Sequence, residues 1–290
     1  MVDMSGKVIL VTGATNGIGK VAACELTRMG ATVVLVGRNP EKTERAISEI
    51  KQYTGSKFVH SLIADLSVMD QVRTLAADFK REFDRLDVLL NNAGAYFSKR
   101  KETADGYEMT FALNHLNYFL LTNLLLDMLK ASAPSRVINV SSDAHRMVKG
   151  IDFDNLDGKK SWGLMGFAAY GQSKLANILF TRELARQLAG TGVTANALHP
   201  GSIASGFGQN NNNLLGNLFY KTIAPIILKS PEEGATTPIY LATSPEVQNV
   251  SGQYFVDARV VEPSKAAQDE EAARRLWKIS AEMTGLTVAV

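Results

Sequence analysis

The sequence has very few of the features that stabilise secreted proteins or hold a chain in a bilayer. Cys24 is the single cysteine among 290 residues, so no disulfide can form within the chain and a reducing compartment is expected. The most apolar stretch, residues 116–129, is interrupted by polar side chains and is too short to span a membrane. A strand-like run begins at Lys7 and leaves no room for a signal peptide. These absences predict a cytoplasmic protein with no integral membrane segment.

An excess of charge of one sign is also lacking. The chain has 31 basic and 29 acidic residues, and its net charge is +2. Without a basic stripe it has no surface suited to a phosphate backbone, so we do not expect nucleic acid as a partner. We predict no metal site. Hydrophobic residues make up 46% of the chain, enough for a full core, and we predict one domain over residues 1–290.

Short apolar runs alternate with longer segments in which apolar residues recur about every 3.6 positions. The seven runs are residues 8–11, 32–36, 57–63, 88–90, 136–140, 193–198 and 253–256. The helical segments are residues 18–29, 41–53, 69–83, 107–130 and 169–188. Continuous apolar runs are typical of strands that are buried on both faces. The pattern predicts an α/β protein: a single-domain, doubly wound (Rossmann) parallel sheet of seven strands with helices on both faces.

Two polar stretches, residues 149–167 and 202–228, interrupt this alternation. Each follows the carboxyl end of a strand, where the ligand-binding loops of such sheets lie. We therefore predict that residues 202–228 form a substrate-binding lid, and that residues 149–167 and 95–99 contribute further walls of a pocket. The four asparagines at 210–213 are more typical of a surface loop.

A glycine-rich turn joins the first strand to the first helix. Glycine permits a tight turn and a close approach of the backbone to a pyrophosphate, and the helix then presents unpaired N–H groups to the phosphates. Turns also need glycine when no ligand is bound, so it is the position between strand and helix that favours a dinucleotide. The candidate binding residues in this turn are Gly13, Thr15, Asn16, Gly17, Ile18 and Gly19.

Arg38 follows the second strand, where a dinucleotide fold meets the adenosine ribose. NAD-binding folds place an acid there for the 2′-hydroxyl, whereas an arginine can pair with a 2′-phosphate. The strand ends Val36-Gly37-Arg38 without an acid. The sequence therefore favours NADP (NADPH) over NAD. Lys42 is a second basic residue nearby, for which an exposed position on a helix is the alternative.

Tyr170 and Lys174 are four residues apart in a predicted helix and so share one face. A free tyrosine has a pKa of about 10, and a neighbouring ammonium favours the phenolate, which suits a general acid or base. Ser142 follows the fifth strand, where its hydroxyl can stabilise a substrate oxygen. A Ser-His-Asp hydrolase using Ser142 with His145 or His199 is the rival interpretation, but the G-x-S-x-G elbow is absent.

In their order along the chain, these motifs resemble the short-chain dehydrogenase/reductase family over nearly the whole sequence. The matching features are TGxxxGxG at 12–19, an acid at Asp65, Asn-Asn-Ala-Gly at 91–94, Asn114, a serine after the fifth strand, Tyr-x-x-x-Lys at 170–174 and Pro-Gly at 200–201. Residues 114–122, 173–180, 199–201 and 276–277 resemble the retinol dehydrogenase-like branch.

The resemblance implies a catalytic set of Asn114, Ser142, Tyr170 and Lys174. In that set Ser142 positions the substrate oxygen, Tyr170 exchanges the proton, and Asn114 holds a water that links Lys174 to solvent. The implied cofactor contacts, beyond the glycine-rich turn and Arg38, are Asp65, Leu66, Asn92, Ala93, Gly94, Tyr170, Lys174, Pro200, Gly201 and Ser205.

The activity implied is NADP(H)-dependent hydride transfer to or from an apolar carbonyl or alcohol, such as a retinoid, a steroid or a lipid aldehyde. Two alternatives stay open. The branch is similar to light-dependent protochlorophyllide reductases, and a chain of this fold can also bind NADP(H) as a regulator without turnover. Family members often pair through two long helices, so a homo-oligomer is an option that the sequence leaves open.

Overall fold

The structure, a computed structural model, describes residues 2–201 and 229–287. One sheet of eight strands has the order β3-β2-β1-β4-β5-β6-β7-β8. The strands are β1 (Val8–Thr12), β2 (Thr32–Gly37), β3 (Val59–Ile63), β4 (Val88–Asn91), β5 (Ser135–Val140), β6 (Val193–His199), β7 (Tyr254–Val256) and β8 (Arg259–Val260). The first seven strands are parallel, which confirms the predicted doubly wound α/β fold.

The predicted count of seven strands is corrected to eight, because a two-residue strand β8 pairs antiparallel with β7. The turn between them contains Asp257 and Ala258, whose φ angles are 49° and 59°. A two-residue hairpin turn with both φ angles positive is usually built from Asn-Gly or Asp-Gly. Asp-Ala lacks the glycine of that signature, so the sequence did not indicate a hairpin here.

Helices cover both faces of the sheet. They are α1 (Gly17–Arg28), α2 (Pro40–Thr54), α3 (Met69–Glu82), α4 (Met109–Phe111), α5 (Asn117–Leu124), α6 (Leu126–Ala131), α7 (Phe167–Gln187), α8 (Pro231–Thr243) and α9 (Glu270–Thr284). Short 3-10 turns lie at Asp143–Met147, Leu164–Gly166, Pro245–Val247 and Lys265–Gln268. Within residues 2–201 and 229–287, no helix is both long enough and apolar enough to cross a bilayer.

One predicted helix needs correction, and two helices were not predicted. The helix predicted over residues 107–130 is divided into α4, α5 and α6, and a π-helical turn at Ala112–Leu116 separates α4 from α5. Neither α8 nor α9 was predicted. Helix α8 contains Pro238, but Ser230 and Glu233 form a capping box at its start, and that local signal could have located it.

The core is divided by the sheet into two layers. Along β1, Ile9 and Val11 pack with α1, α2 and α8, whereas Leu10 faces the layer of α3, α5, α7 and α9. This alternation follows from the two-residue period of a strand. Strand order reverses between β1 and β4, and ligands of such sheets bind at that switch point, beyond the carboxyl ends of the strands.

Candidate active site

The glycine-rich turn lies between β1 and α1, at the switch point. Gly13 and Gly17 have φ angles of 64° and 52°, a region that favours glycine. Asn16 precedes α1 without a side-chain cap, and the first turn of α1 contains no acidic residue. The first backbone N–H groups of α1 are therefore left for an anion, as a pyrophosphate requires.

Hydrogen bonds join this turn to the end of β4. Thr12 Oγ1 accepts from the backbone N–H groups of Asn92 and Ala93 at 2.9 and 3.0 Å. The Asn92 amide donates to the carbonyls of Thr12 and Gly13 at 2.9 and 3.1 Å. This geometry suits the sheet-steadying role that the resemblance implied for Asn92. It also brings Ala93 so close that a Cβ on Gly13 would lie 2.8 Å from the Ala93 Cα.

Gly13→Ala should therefore destabilise the protein and weaken nucleotide binding. The left-handed φ costs about 1–2 kcal/mol for an L-residue, and the clash with the Ala93 backbone adds roughly 1–3 kcal/mol. Gly6 is a matched control, because its φ is 76° and an added Cβ there would contact nothing within 4 Å. Denaturant unfolding should show the larger loss for Gly13→Ala. Equal losses in the two variants would mean that Ala93 does not restrict this turn.

Arg38 lies just beyond β2 and is largely exposed, with 73% of its side chain accessible. Its Nη1 is 3.5 Å from Asp65 Oδ2. The other oxygen, Asp65 Oδ1, accepts from Ser67 Oγ at 2.7 Å and from Ser67 N at 3.0 Å. An exposed ion pair contributes only about 0–1 kcal/mol. A phosphate can therefore compete for the guanidinium at little cost.

The two serines after β5 differ in their hydrogen bonds. Ser141 is buried, and its hydroxyl donates to the Lys174 carbonyl at 2.7 Å, which ties β5 to α7. Ser142 is partly exposed and lines the cavity, and its Oγ accepts from Ala144 N at 3.2 Å. Because that contact uses only acceptor capacity, the Ser142 hydroxyl proton can be donated to a ligand.

Tyr170 and Lys174 lie on α7, one turn apart. Lys174 Nζ is 5.7 Å from the Tyr170 ring centroid and donates to the Val140 carbonyl at 3.1 Å. The lysine is buried, and burial lowers its pKa to about 7. The sequence favours a lysine ammonium beside Tyr170. Burial works against that charge, because it stabilises the neutral amine relative to the ammonium.

Asn114 is completely buried in the π-helical turn. Its Oδ1 accepts from Ala95 N at 2.8 Å, and its Nδ2 donates to Ala95 O and Ser173 Oγ, both at 3.0 Å. Ser173 Oγ in turn donates to the Tyr170 carbonyl at 2.7 Å. Asn114 therefore joins the loop after β4 to the turn of α7 that carries Tyr170.

Gly94 leaves space between Asn114 and Lys174. A Cβ on Gly94 would lie 3.2 Å from Asn114 Oδ1 and 3.3 Å from Lys174 Nζ. Both contacts are tighter than most Cβ contacts in proteins, so any larger residue would press against both groups. A larger residue here would therefore displace the Asn114 or Lys174 side chain by a few tenths of an ångström.

One cavity of about 840 Å³ brings most of the predicted residues together. The predicted residues that line it are Gly13, Thr15, Asn16, Gly17, Ile18, Gly19, Arg38, Asp65, Leu66, Asn92, Ala93, Gly94, Ser142, Tyr170, Lys174, Pro200 and Gly201. Asn114 is not among the lining residues and acts through its hydrogen bonds. Ser205, the predicted lid at 202–228 and the asparagines at 210–213 lie outside the described residues.

The cavity also has an apolar part that sequence reasoning located only in outline. Phe97, Met109 and Leu113 line it; of these, only Phe97 falls in a segment predicted to form the pocket. No residue of the predicted wall at 149–167 lines this cavity in the described chain. That stretch approaches it indirectly, since the ring of Phe167 stacks on Tyr96 at 5.1 Å and Tyr96 meets Tyr170 edge to face at 6.0 Å.

The donor set and the shape of the cavity fit a nicotinamide dinucleotide. Uncapped N–H groups and glycines suit the pyrophosphate, and Arg38 suits a 2′-phosphate. Arg38 follows β2 and Ser142 follows β5. These two strands are three strand spacings apart in the sheet, which is roughly 14 Å. A family model described as short chain dehydrogenase matches residues 7–152 and 157–214. The chain belongs to the short-chain dehydrogenase family.

Similar proteins narrow this assignment. Human retinol dehydrogenase 13 is 46% identical over 288 residues, which cover 97% of this chain and 85% of the relative. Human retinol dehydrogenase 14 is 44% identical over 297 residues, covering 98% and 88%. The predicted resemblance to the retinol dehydrogenase-like branch is therefore confirmed, and this short-chain dehydrogenase is an oxidoreductase of a family that uses a nicotinamide cofactor.

Solved structures agree with the fold. An uncharacterized protein from Mycobacterium paratuberculosis has a TM-score of 0.78 and 31% identity, over 100% of this chain and 97% of that one. The Pseudomonas aeruginosa RhlG/NADP active-site complex has a TM-score of 0.69 and 28% identity, over 87% and 95%. NADP is thus bound by at least one structural relative of this short-chain dehydrogenase.

Proposed function

We propose that this short-chain dehydrogenase is an NADP(H)-dependent oxidoreductase that moves a hydride between the nicotinamide and an apolar carbonyl or alcohol. The observation that carries the proposal is the cavity of about 840 Å³, which contains both Arg38 and the group formed by Ser142, Tyr170 and Lys174. An arginine placed for a 2′-phosphate and a tyrosine placed for proton transfer thus share one continuous space.

The mechanism follows from the positions of the side chains. The bound dinucleotide supplies or accepts the hydride. In the reducing direction Ser142 donates a hydrogen bond to the carbonyl oxygen, and Tyr170 gives that oxygen the proton that completes the alcohol. Lys174 sets the charge beside Tyr170 and is placed to hold a ribose hydroxyl. Asn114 keeps the Tyr170 turn of α7 in place through its hydrogen bond to Ser173, and the water that the resemblance implies beside Asn114 stays a prediction.

The substrate class follows from the apolar part of the cavity. Phe97, Met109 and Leu113 present apolar surface to a carbonyl compound, so an apolar body is favoured. Lys101 also lines the cavity, with its Nζ 5.7 Å from the Phe97 ring centroid. The names of the similar human proteins indicate a retinoid, and a steroid or a lipid aldehyde has comparable chemistry. The test is NADPH oxidation in the dark with retinal, a long-chain aliphatic aldehyde and a small polar aldehyde. Turnover should be fastest with the apolar aldehydes.

Two results would contradict this function. Tight NADPH binding without turnover on any of these aldehydes would favour a regulatory NADP(H)-binding protein. Turnover that needs illumination would favour a light-dependent reductase of the protochlorophyllide type. The cytoplasmic location and a homo-oligomeric state stay predictions.

Replacing Arg38 by glutamine should raise the KM for NADPH about tenfold or more and leave the KM for NADH nearly unchanged. The reason is that the guanidinium can exchange its exposed contact with Asp65 for the 2′-phosphate, which NADH lacks. Tenfold corresponds to about 1.4 kcal/mol. Arg45→Gln is the control, because Arg45 is an exposed arginine on α2 that does not line the cavity. Steady-state kinetics with both nucleotides is the measurement. An equal rise in both KM values would contradict recognition of the phosphate by Arg38.

A further inference from the structure

His145 has an arrangement that the proposed chemistry does not use. It lies in the 3-10 turn Asp143–Met147, directly after Ser142, and its side chain is completely buried. Ring Nδ1 is 2.8 Å from the Ser142 carbonyl oxygen. Ring Nε2 is 3.1 Å from the backbone nitrogen of Ser264, far along the chain. The imidazole therefore connects Ser142, two residues beyond the end of β5, to Ser264 in the C-terminal part of the chain.

These two partners determine the protonation of the ring. A carbonyl oxygen only accepts and a backbone N–H only donates. His145 must therefore carry its proton on Nδ1, donate it to the Ser142 carbonyl, and accept from Ser264 at Nε2. Burial lowers the pKa of His145 below its ordinary value of 6.5, so the neutral ring is the form present at neutral pH. In this tautomer both ring nitrogens are satisfied.

The backbone around Ser142 depends on this link. The sheet's hydrogen bonds along β5 end with Ser141 N, which donates to the Leu198 carbonyl at 2.7 Å. Beyond this point the Ser142 carbonyl accepts from the backbone N–H of His145 at 3.1 Å as well as from the ring. Arg146 adds a second connection to the C-terminal segment, since its Nη2 donates to the Glu262 carbonyl at 2.7 Å.

The same geometry excludes His145 as the base of a Ser-His-Asp triad. A base needs a free ring nitrogen facing the serine hydroxyl, but Nε2 of His145 accepts from Ser264 and Nδ1 donates to a carbonyl. Among the described residues, neither nitrogen contacts a carboxylate. The carboxylate of the neighbouring residue, Asp143, accepts from Arg146 Nε at 2.8 Å.

We propose that His145 is a positioning residue that holds the Ser142 backbone, and thereby the Ser142 hydroxyl, at the substrate oxygen. The proposal rests on the proposed function, in which Ser142 binds that oxygen. A carbonyl held from two directions fixes the Ser142 backbone and so the direction of its Cα–Cβ bond. The Ser142 hydroxyl oxygen is held in turn by the Ala144 N–H at 3.2 Å. Small displacements of a catalytic group can reduce turnover by up to about 100-fold.

Two substitutions separate the two ring contacts. In His145→Asn the amide nitrogen takes the place of Nδ1 and can still donate to Ser142. In His145→Gln the amide reaches the place of Nε2 near Ser264 and leaves the Ser142 carbonyl without the ring. We expect kcat to stay within about threefold for His145→Asn and to fall roughly 10- to 100-fold for His145→Gln. The KM for NADPH should not change in either variant, because the phosphate-binding turn is not part of this link.

Histidine NMR on the wild-type protein tests the link without turnover. The chain has four histidines, and the His145 signals are those that disappear in His145→Gln. They should show a protonated Nδ1 and an unprotonated Nε2 at neutral pH. The backbone N–H of residue 145 donates to the Ser142 carbonyl in the wild type. Hydrogen exchange of this amide should be faster in His145→Gln than in His145→Asn.

The outcomes distinguish this inference from the proposed function. An Nε2-protonated ring, equal exchange in the two variants, or equal loss of kcat in both would overturn the role of His145 even if the wild-type enzyme is active. If the wild type shows the expected tautomer and the two variants show the expected difference in exchange, but the wild type reduces no aldehyde, the proposed function is overturned. The support of Ser142 by His145 then stands.

Discussion

Tyr170→Phe should reduce kcat by about 10²–10⁴-fold, the range expected when a general acid is removed. The substitution deletes one hydroxyl and keeps the ring that packs edge to face against Tyr96 at 6.0 Å. Binding of NADPH should therefore survive, since the contacts of the phosphate-binding turn and Arg38 are unchanged. The measurements are steady-state reduction of an apolar aldehyde and NADPH titration by fluorescence.

Tyr118→Phe is the matched control for this experiment. Tyr118 is completely buried, its ring centroid lies 6.0 Å from Lys174 Nζ, and its hydroxyl has no hydrogen-bond partner in the described chain. Both variants thus remove the hydroxyl of a tyrosine whose ring centroid lies 5.7–6.0 Å from the same Lys174 Nζ. Of the two tyrosines, only Tyr170 lines the cavity. Tyr118→Phe should keep kcat within about twofold of the wild type. Full activity in Tyr170→Phe, or equal losses in the two variants, would contradict proton transfer by Tyr170.

Lys174→Met should have the second large effect, and it should act on both turnover and stability. Loss of the charge beside Tyr170 should lower kcat by about 10²-fold or more. The nucleotide-free protein should become more stable, because the substitution removes the cost of charging a buried amine. Methionine has a similar volume and fills the same space with few new contacts.

The stability effect has a defined dependence on pH. Burial lowers the pKa of Lys174 from 10.5 to about 7, so between these pH values the unfolded chain binds more protons than the folded one. Stability of the wild type should therefore rise with pH across this interval, by up to about 1.4 kcal/mol per pH unit from this group. The penalty should be fully present below pH 7 and disappear above the unfolded pKa.

Urea unfolding of nucleotide-free protein at several pH values measures this dependence. The wild type should become more stable relative to Lys174→Met as the pH rises from about 7 toward 10.5. Lys149→Met serves as the control, because Lys149 is exposed and its replacement should leave the slope unchanged. A constant difference between wild type and Lys174→Met would show that Lys174 titrates alike in the folded and unfolded states.

Local patterns in the sequence were sufficient for most of the fold. All seven predicted strands are present, and helices α1, α2, α3 and α7 lie within two residues of the predicted bounds. Continuous apolar runs and 3.6-residue spacing are local consequences of burial, so they are visible without tertiary information. The failures were also local in origin. Asp257 and Ala258 form a hairpin turn without its usual glycine. The π-helical turn at Ala112–Leu116 has no local sequence signal that separates it from the α-helices on either side.

The residues that line the cavity were likewise largely predictable, because most follow a strand or lie at a fixed spacing on a helix. Ser142 lies two residues beyond the end of β5, and Tyr170 and Lys174 are one helical turn apart. In a parallel sheet the carboxyl ends of the strands meet at one edge, so residues after different strands are brought together. The role of Asn114 could not be obtained in this way, because its partners Ala95 and Ser173 are distant in the sequence.

By itself the sequence determined the fold class, the glycine-rich turn and most of the side chains that line the cavity, because apolar runs and residue spacing are local patterns. Only the tertiary structure decided the protonation of the buried side chains at the site and the contacts that hold them in place. Burial between β5 and α7 lowers the pKa of Lys174 to about 7, and contacts with Ser142 and Ser264 place the proton of His145 on Nδ1. Desolvation and hydrogen-bond partners depend on residues distant along the chain, so no local pattern reveals them.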